Sequence, residues 1–276
     1  MCTFVPMKQA MIFAAGLGTR LKPLTDTMPK ALVKVAGEPL LKHVVLKLRD
    51  AGFTHIVVNV HHFADQIINY LQANDNFGID IRISDESEQL LETGGGIKKA
   101  IPLFPDDTPV LIHNVDILDN VNYDWFYRQH LDTEDAVLLV SRRKTKRYLL
   151  FDSAMRLMGW TNVETGEVKS PFPWLRESEV TIDEDYQVSI SSNNAPTLSR
   201  SLAPSPHVLF AFAFSGIHSF SPRLFALMEK FPDRFPIMDF YLSVCHRAQI
   251  YGCQMQDLRI LDVGKLESLE EAEKFL

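Results

Sequence analysis

Met11-Ile12-Phe13-Ala14 runs into Ala15-Gly16-Leu17-Gly18-Thr19-Arg20, and Pro29-Lys30 follows ten residues after the arginine. Glycines let main-chain N–H groups approach an anion with no Cβ in the way. Arginine grips phosphate oxygens in a fork, and lysine supplies a compact point charge. Each piece alone has a plain structural explanation. Two glycines after a strand make a tight turn, and a lone Arg20 or Lys30 is a solvated surface cation. Together at the end of a strand they favour a phosphate site. The loop lacks the third glycine of a dinucleotide fingerprint and the Gly-Lys-Ser/Thr of a Walker A loop.

Other constellations stand further along the chain. Glu92-Thr93-Gly94-Gly95-Gly96 precedes a helical pattern, so it is either a loop needing positive φ or a row of backbone groups facing a flat ligand edge. Asn114-Val115-Asp116 closes an apolar run, and Asp262 in "RILDVGKLES" stands at a second such edge. Without further context Asp116 is a turn residue and Phe214-Ser215-Gly216-Ile217 a strand terminus. Asn59, His61 and His62 sit where a strand leaves the sheet; no third ligand suggests zinc. Arg142, Arg143, Lys144, Lys146 and Arg147 form a basic cluster, either a solvated face or a meeting point for phosphate.

Positioning such groups requires a scaffold, and the pattern supplies one. Gln9–Ala14, Thr54–Val60, Ile79–Ser84, Val110–His113 and Ala136–Ser141 read as strands. Between them, helical spacing marks Leu40–Leu48, Ala64–Leu71, Gly95–Ala100 and Tyr123–His130. This alternation predicts an α/β fold with a mostly parallel sheet covered by helices on both faces, and ligands of such sheets bind at the strands' carboxyl ends. The alternation breaks from Ser153 to His207, where nine serines and five prolines accompany scattered charges. That stretch is expected to be a long, polar surface excursion with room for a hairpin. Val208–Ser215 resumes as a strand, followed by helices near Pro222–Glu229 and Asp239–Arg247. An amphipathic closing helix sets Leu266, Leu269, Ala272 and Phe275 on one side.

The segment "AAGLGTRLKPLTDTMPKALVKVAGEPLL" resembles the N-terminal signature of the nucleotide-sugar pyrophosphorylases, the sugar-1-phosphate nucleotidyltransferases. "LLETGGGIKKAIPLF", "VNVHHFADQI" and "LDVGKLESLEEAE" look like its short N-acetylmuramate-1-phosphate uridylyltransferase branch and the mannose-1-phosphate guanylyltransferases like it. The likeness covers Met7 to about Asp152 and Val208 to Leu276, leaving out the polar excursion. It implies a three-layer α/β/α, Rossmann-like fold with a mostly parallel mixed sheet. One nucleotidyltransferase domain, 1–276, would carry 153–207 as an insertion. It also implies an NTP and a sugar 1-phosphate as partners, UTP first and GTP next, and Mg²⁺ as cofactor. By the same likeness Ala14, Ala15, Gly16, Gly18, Thr19 and Arg20 hold the nucleotide, with Thr93 and Gly94 at the base and Glu92 a weaker candidate. Asn114, Ser215 and Gly216 meet the sugar, and Asp116 and Asp262 hold the metal. The catalytic set is Arg20, Lys30 and Asp116. The usual Asn-Gly-Asp is here Asn114-Val115-Asp116.

Two rivals remain to be weighed. A nucleotide-sugar-binding regulatory domain without turnover would keep the loop but lose Lys30 or a metal aspartate, and this chain has all three. A dinucleotide-dependent oxidoreductase needs an acidic ribose anchor after the second strand, which ends in Asn59-Val60-His61-His62.

Bulk properties narrow the class. The 276 residues carry a net charge of −7, with 46% hydrophobic and 23% charged residues, so no basic surplus suits nucleic acid. No apolar run approaches the ~20 residues of a membrane span. Cys2, Cys245 and Cys253 form no Cys-x-x-Cys pair and fit a reducing, cytoplasmic setting. Met7 reads as a natural start, with Met1 to Pro6 an extension and no export signal.

Overall fold

Strands buried on both faces read as mainly apolar runs, and three segments of the N-terminal half do so: β1 (Lys8–Phe13), β4 (Phe53–Val60) and β6 (Val110–Asn114). The computed structural model describes residues 7–105, 107–131, 134–191 and 208–276. The proposed extension Met1–Pro6 and residues 192–207 of the polar excursion lie outside the described residues. Within them the chain forms two compact units.

The first unit holds the chain up to Leu131, Gly216–Ile237 and Asp257–Leu276. β1 lies between β4 and β6, parallel to both, and β5 (Asp80–Asp85) extends the parallel set beyond β4. A two-residue hairpin of β2 (Lys34–Val35) and β3 (Glu38–Pro39) leads into α1 (Leu40–Asp50). Leu40, Leu41, Val44, Val45 and Leu48 are its buried face, the spacing expected of an amphipathic helix. α2 (Ala64–Ala73) follows β4, and α3 (Glu92–Ala100) follows β5. After β6 come β7 (Ile117–Asp119) and α4 (Tyr123–Tyr127), a helix shorter than its sequence pattern suggests.

The second unit holds Asp132–Ser215 and Met238–Gln256. Its elements are β8 (Ala136–Ser141), β9 (Arg147–Phe151), β10 (Leu157–Asn162), β11 (Glu167–Lys169), α5 (Pro173–Arg176), β12 (Glu179–Ile182) and β13 (Gln187–Ser191). β14 (Leu209–Phe220) begins in this unit and pairs antiparallel with β9 through Phe210–Phe212. Farther on, Ile217–Phe220 of β14 lie antiparallel to β6 in the first unit's sheet, so the parallel set gains one antiparallel strand. After α6 (Phe225–Met228), α7 (Ile237–Val244) leads to β15 (Ile250–Gln254), which runs parallel to β8. β16 (Ile260–Asp262) pairs antiparallel with β7, and α8 (Glu267–Phe275) closes the chain with Ala272 fully buried. The first unit's central sheet is thus mixed and mostly parallel, with helices, as the alternation predicts.

The polar excursion is more ordered than its composition suggests. Its described part, 153–191, carries two hairpins, and Val168, Phe172, Val180, Ile182, Val188 and Ile190 pack on Tyr148, Leu150, Leu209 and Ala211. The excursion's apolar residues are too sparse for a core alone, and β9 and β14 complete one.

Candidate active site

The end of β1 opens into a cleft of about 460 Å³ lined by the glycine loop Ala14–Arg20, Lys30, Asn59, Glu86, Glu92, Thr93 and Asn114–Asp116. All belong to the first unit. Gly18 sits at φ 64°, and a Cβ there would lie 2.9 Å from Thr25 Cγ2 and 3.1 Å from Lys30 Cβ. Its carbonyl accepts from Leu21 N and from Thr25 Oγ1, each at 2.8 Å. The turn is therefore fixed by glycine at position 18. Gly16 differs: a Cβ there would meet nothing within 4 Å, so this glycine leaves space on the cleft side.

Two amides of the loop are already engaged. Asn59 Oδ1 accepts from Ala14 N at 2.7 Å and from Ala15 N at 3.3 Å. Ala14 and Ala15 thus line the cleft, as their place after the strand predicts, but their N–H groups serve the fold.

The cations occupy unlike settings. Arg20 begins in a short helical turn, Thr19–Leu21, with its side chain 57% exposed and 3.9 Å from Asp262 Oδ2. Lys30 is buried, and its ammonium pairs with Asp116 Oδ2. A lysine that alone reads as a solvated surface cation is instead part of a closed ion pair.

Asp116 and Asp262 come together through the backbone. Val115-Asp116 form the turn between β6 and β7, Asp262 stands opposite Ile117 in the β7–β16 ladder, and Val263 N donates to Asp116 O at 2.8 Å. Val115 N donates to Phe13 O at 3.1 Å and its side chain is buried. The valine is not among the positive-φ residues, which is why a branched side chain fits where the family signature has glycine. Among the described residues no group of three or more His, Cys, Asp or Glu could hold a metal. Carboxylate oxygens of this kind suit Mg²⁺, which keeps waters and takes substrate oxygens instead of an all-protein cage.

The glycine run behaves differently from its sequence expectation. Helix α3 starts at Glu92, not Gly95, and buries Gly94, Gly95 and Gly96 within its first turns. Gly94 N and Gly95 N donate to Phe235 O at 2.8 and 3.1 Å. A Cβ at Gly95 would lie 2.0 Å from Asp233 O, and one at Gly94 would lie 2.2 Å from Phe235 Cε2. Close passage of the 233–235 backbone explains these glycines. The Gly94 amide expected to read a base is occupied, and Gly94 does not line the cleft. Thr93 does line it, while its Oγ1 accepts from Ile237 N at 2.9 Å. The positive φ of the run, 64°, falls on Glu92, whose carboxylate pairs with Arg234 Nε at 3.1 Å and caps no helix.

Of the residues expected to meet a sugar, Asn114 lines the cleft, and Gly216 at φ 78° would bring a Cβ within 2.8 Å of Asn114 Nδ2. Ser215 is buried in the second unit's part of β14, with its hydroxyl unpartnered among the described residues. Arg142, Arg143, Lys144, Lys146 and Arg147 also belong to that unit. There Arg143 Nη2 donates to Phe214 O at 3.0 Å and Lys146 pairs with Glu164 at 2.8 Å, as a surface cluster does.

A family model described as nucleotidyl transferase matches residues 9–148, half of the chain. The chain belongs to the nucleotidyl transferase family. The N-acetylmuramate alpha-1-phosphate uridylyltransferase of Caulobacter vibrioides is 50% identical over 111 residues, 40% of this chain and 46% of that protein. Its counterpart in Neisseria meningitidis serogroup B is 44% identical over 115 residues, 42% of this chain and 49% of that one. The match thus spans about half the length of these curated relatives. Among solved structures, HddC from Yersinia pseudotuberculosis complexed with GMP-PN superimposes with a TM-score of 0.61 at 22% identity, covering 97% of this chain and 99% of that one. At that identity the likeness is one of fold.

Three features of this nucleotidyl transferase have little or no signal in its sequence. Asn59 reads only as a strand-end polar residue, yet it secures the loop. Glu86 sits in a run of surface-type residues, Ser84-Asp85-Glu86-Ser87-Glu88, yet is fully buried. The third is a polar knot beneath the Asn114–Asp116 turn. Asp119 takes the Lys47 ammonium and Val121 N on one oxygen, and Tyr123 OH at 2.7 Å on the other, 3.1 Å from His113 Nε2. His113 Nδ1 lies 2.8 Å from Asn114 O. Burial pushes the Asp119 carboxyl up, but the hydrogen bonds and charges of His113 and Lys47 outweigh it and hold it down at about 2. Burial lowers Lys47, and Asp119 opposes that. The knot ties α1, β6, β7 and α4 together directly behind the carboxylate turn.

Proposed function

We propose that this nucleotidyl transferase joins an NTP and a sugar 1-phosphate into an NDP-sugar and pyrophosphate, with Mg²⁺ as cofactor. The observation that carries the reading is the convergence of Arg20, Lys30 and Asp116 on one cleft beside a glycine loop with open space at Gly16. An oxygen of the sugar phosphate attacks the α-phosphorus, and the bond from that phosphorus to the oxygen bridging to the β-phosphate breaks. The attacking oxygen is already ionised at neutral pH, so the residues need supply no general base. Their work is alignment and neutralisation of charge. Arg20, exposed and held loosely by Asp262, turns to the departing pyrophosphate. Lys30 exchanges Asp116 for phosphate oxygen, and Gly16, Gly18 and Thr19 give the triphosphate a surface without bulky side chains. Asp116 and Asp262 would hold Mg²⁺, which supplies Lewis-acid neutralisation of phosphate charge when bound.

For the base, the similarity to two uridylyltransferases supports UTP as substrate. The similarity to a mannose-1-phosphate guanyltransferase, 41% identical over 111 residues, supports GTP next. Incubation with Mg²⁺, each NTP in turn and a panel of sugar 1-phosphates, read by pyrophosphate release, tests the assignment. Release with UTP and one member of the panel is expected; failure of every NTP to release pyrophosphate would overturn the reading.

A further inference from the structure

Asn59 and Glu86 form a bridge beneath the cleft that joins its two walls. Asn59 Oδ1 holds the Ala14 and Ala15 amides at the head of the glycine loop. Asn59 Nδ2 donates to Glu86 Oε1 at 2.8 Å, and Glu86 Oε2 accepts from Leu91 N at 3.0 Å, immediately before α3. Glu86 N in turn donates to Val60 O at 2.7 Å, and His61 Nδ1 donates to Glu86 O at 2.6 Å. Both side chains are buried and both line the cleft. Gly96 completes the arrangement: a Cβ there would lie 2.9 Å from Glu86 Oε1 and 3.2 Å from Asn59 Nδ2. Burying a carboxylate is costly unless its oxygens are satisfied. This one is placed where it links the loop that receives phosphates to the helix that carries Glu92 and Thr93.

We infer that Asn59 and Glu86 are positioning residues for the nucleotide: their hydrogen-bonded pair sets the register between the glycine loop and the start of α3. The inference rests on the reading of the cleft as a nucleotide site. Neither residue takes part in the chemistry. Their contribution is to hold the walls of the cleft at the separation that a nucleotide bridges, so their loss weakens nucleotide binding more than it slows the bound complex.

The donor and acceptor pattern supplies a specific test. In Asn59→Asp, a carboxylate oxygen replaces Nδ2 and faces Glu86 Oε1, acceptor against acceptor. In Glu86→Gln, the new amide nitrogen must face either Asn59 Nδ2 or Leu91 N, donor against donor, and flipping Asn59 moves the conflict to Ala14 N. The double variant N59D/E86Q reverses the central bond: the introduced glutamine's Nε2 donates to the introduced aspartate, and every backbone amide keeps its acceptor. Size and total charge equal those of the parent protein.

The experiment measures UTP and GTP affinity, KM and kcat for the full chain and the three variants, with folding checked by circular dichroism and amide exchange followed at Ala14, Ala15 and Leu91. Each single change is expected to raise the nucleotide Kd and KM about tenfold or more, equivalent to about 1.4 kcal/mol, with a smaller fall in kcat. It should also speed exchange at those amides, and the double variant should return all of these toward the parent. Single variants that bind nucleotide like the parent would overturn the inference, as would a folded double variant no better than the singles. Should Asn59→Asp not fold, Glu86→Gln against the double variant decides the matter by the same criteria. A parent protein that binds no nucleotide would sink the proposed function itself, a result distinct from any of these.

Discussion

Lys30 and Asp116, 86 positions apart, share an ion pair at the edge of the cleft. The cation proposed for phosphate and the carboxylate proposed for a metal neutralise each other. Arg20 and Asp262 repeat the relationship more loosely on the exposed side. On the proposed function, binding a magnesium–triphosphate complex would be an exchange of partners, the cations passing to phosphate and the carboxylates to metal. The desolvation cost of the Lys30 pair is already met in the fold.

Replacing Lys30 with Met keeps the buried stem and removes the charge. Loss of such a contact in the transition state is worth about 3 kcal/mol, so turnover should fall roughly a hundredfold. The variant should also melt earlier, because Asp116 loses its buried partner. Steady-state kinetics beside a thermal melt check both, and near-normal turnover would remove Lys30 from the mechanism.

Asp116→Asn and Asp262→Asn keep size and hydrogen bonding while removing charge. Each should suppress Mg²⁺-dependent turnover and raise the Mg²⁺ concentration for half-maximal rate, with circular dichroism unchanged. Chelation of the parent protein should abolish turnover and spare the fold. Unaltered metal dependence in both variants would show that the carboxylates do not share an ion.

Gly95→Ala tests the packing of α3. A Cβ there would lie 2.0 Å from Asp233 O, so either the helix or the 233–235 backbone must shift. Overpacking of this kind costs about 1–3 kcal/mol, against the small gain that alanine brings to an ordinary helix. A lower denaturation midpoint is expected, and a higher one would contradict the close passage.

The buried Asp119 gives a pH signature. Its carboxyl is held down at about 2 in the folded chain, against about 3.9 in an unfolded one. A depressed carboxylate contributes stability that is present above the unfolded value and lost as pH falls through the folded one. The contribution, on the order of 2 kcal/mol, should therefore disappear between about pH 4 and pH 2. Melting curves across that window should fall more steeply for the parent than for Asp119→Asn, and equal slopes would show that Asp119 is not the source.

Much of the scaffold was legible because its strands are buried on both faces: Met11-Ile12 and Ile56-Val57-Val58 can be little else. The glycine loop, Arg20 and Lys30 could be grouped from the sequence because they follow one strand, and they line one cleft. Other features lacked any local signal. Glu92–Gly94 read as preceding the helix because glycine is penalised in one; the close approach of Phe235 and Asp233 accounts for Gly94 and Gly95, and that of Glu86 and Asn59 for Gly96. The partner of Lys30 lies in a distant turn, and Glu86 looks like a surface residue until Asn59 and Leu91 are folded onto it. The apolar residues between Val168 and Ile190 look too few for a core, because β9 and β14 supply the rest.

The most direct measurement of the central claim is a ³¹P NMR time course of the protein with Mg²⁺, UTP and the sugar 1-phosphate selected by the panel. The account predicts that UTP and sugar phosphate signals fall together while a sugar-linked diphosphate and pyrophosphate rise in equal amounts, with no change when the protein is omitted. Release of orthophosphate alone, or bound nucleotide with no conversion of any sugar phosphate, would contradict it.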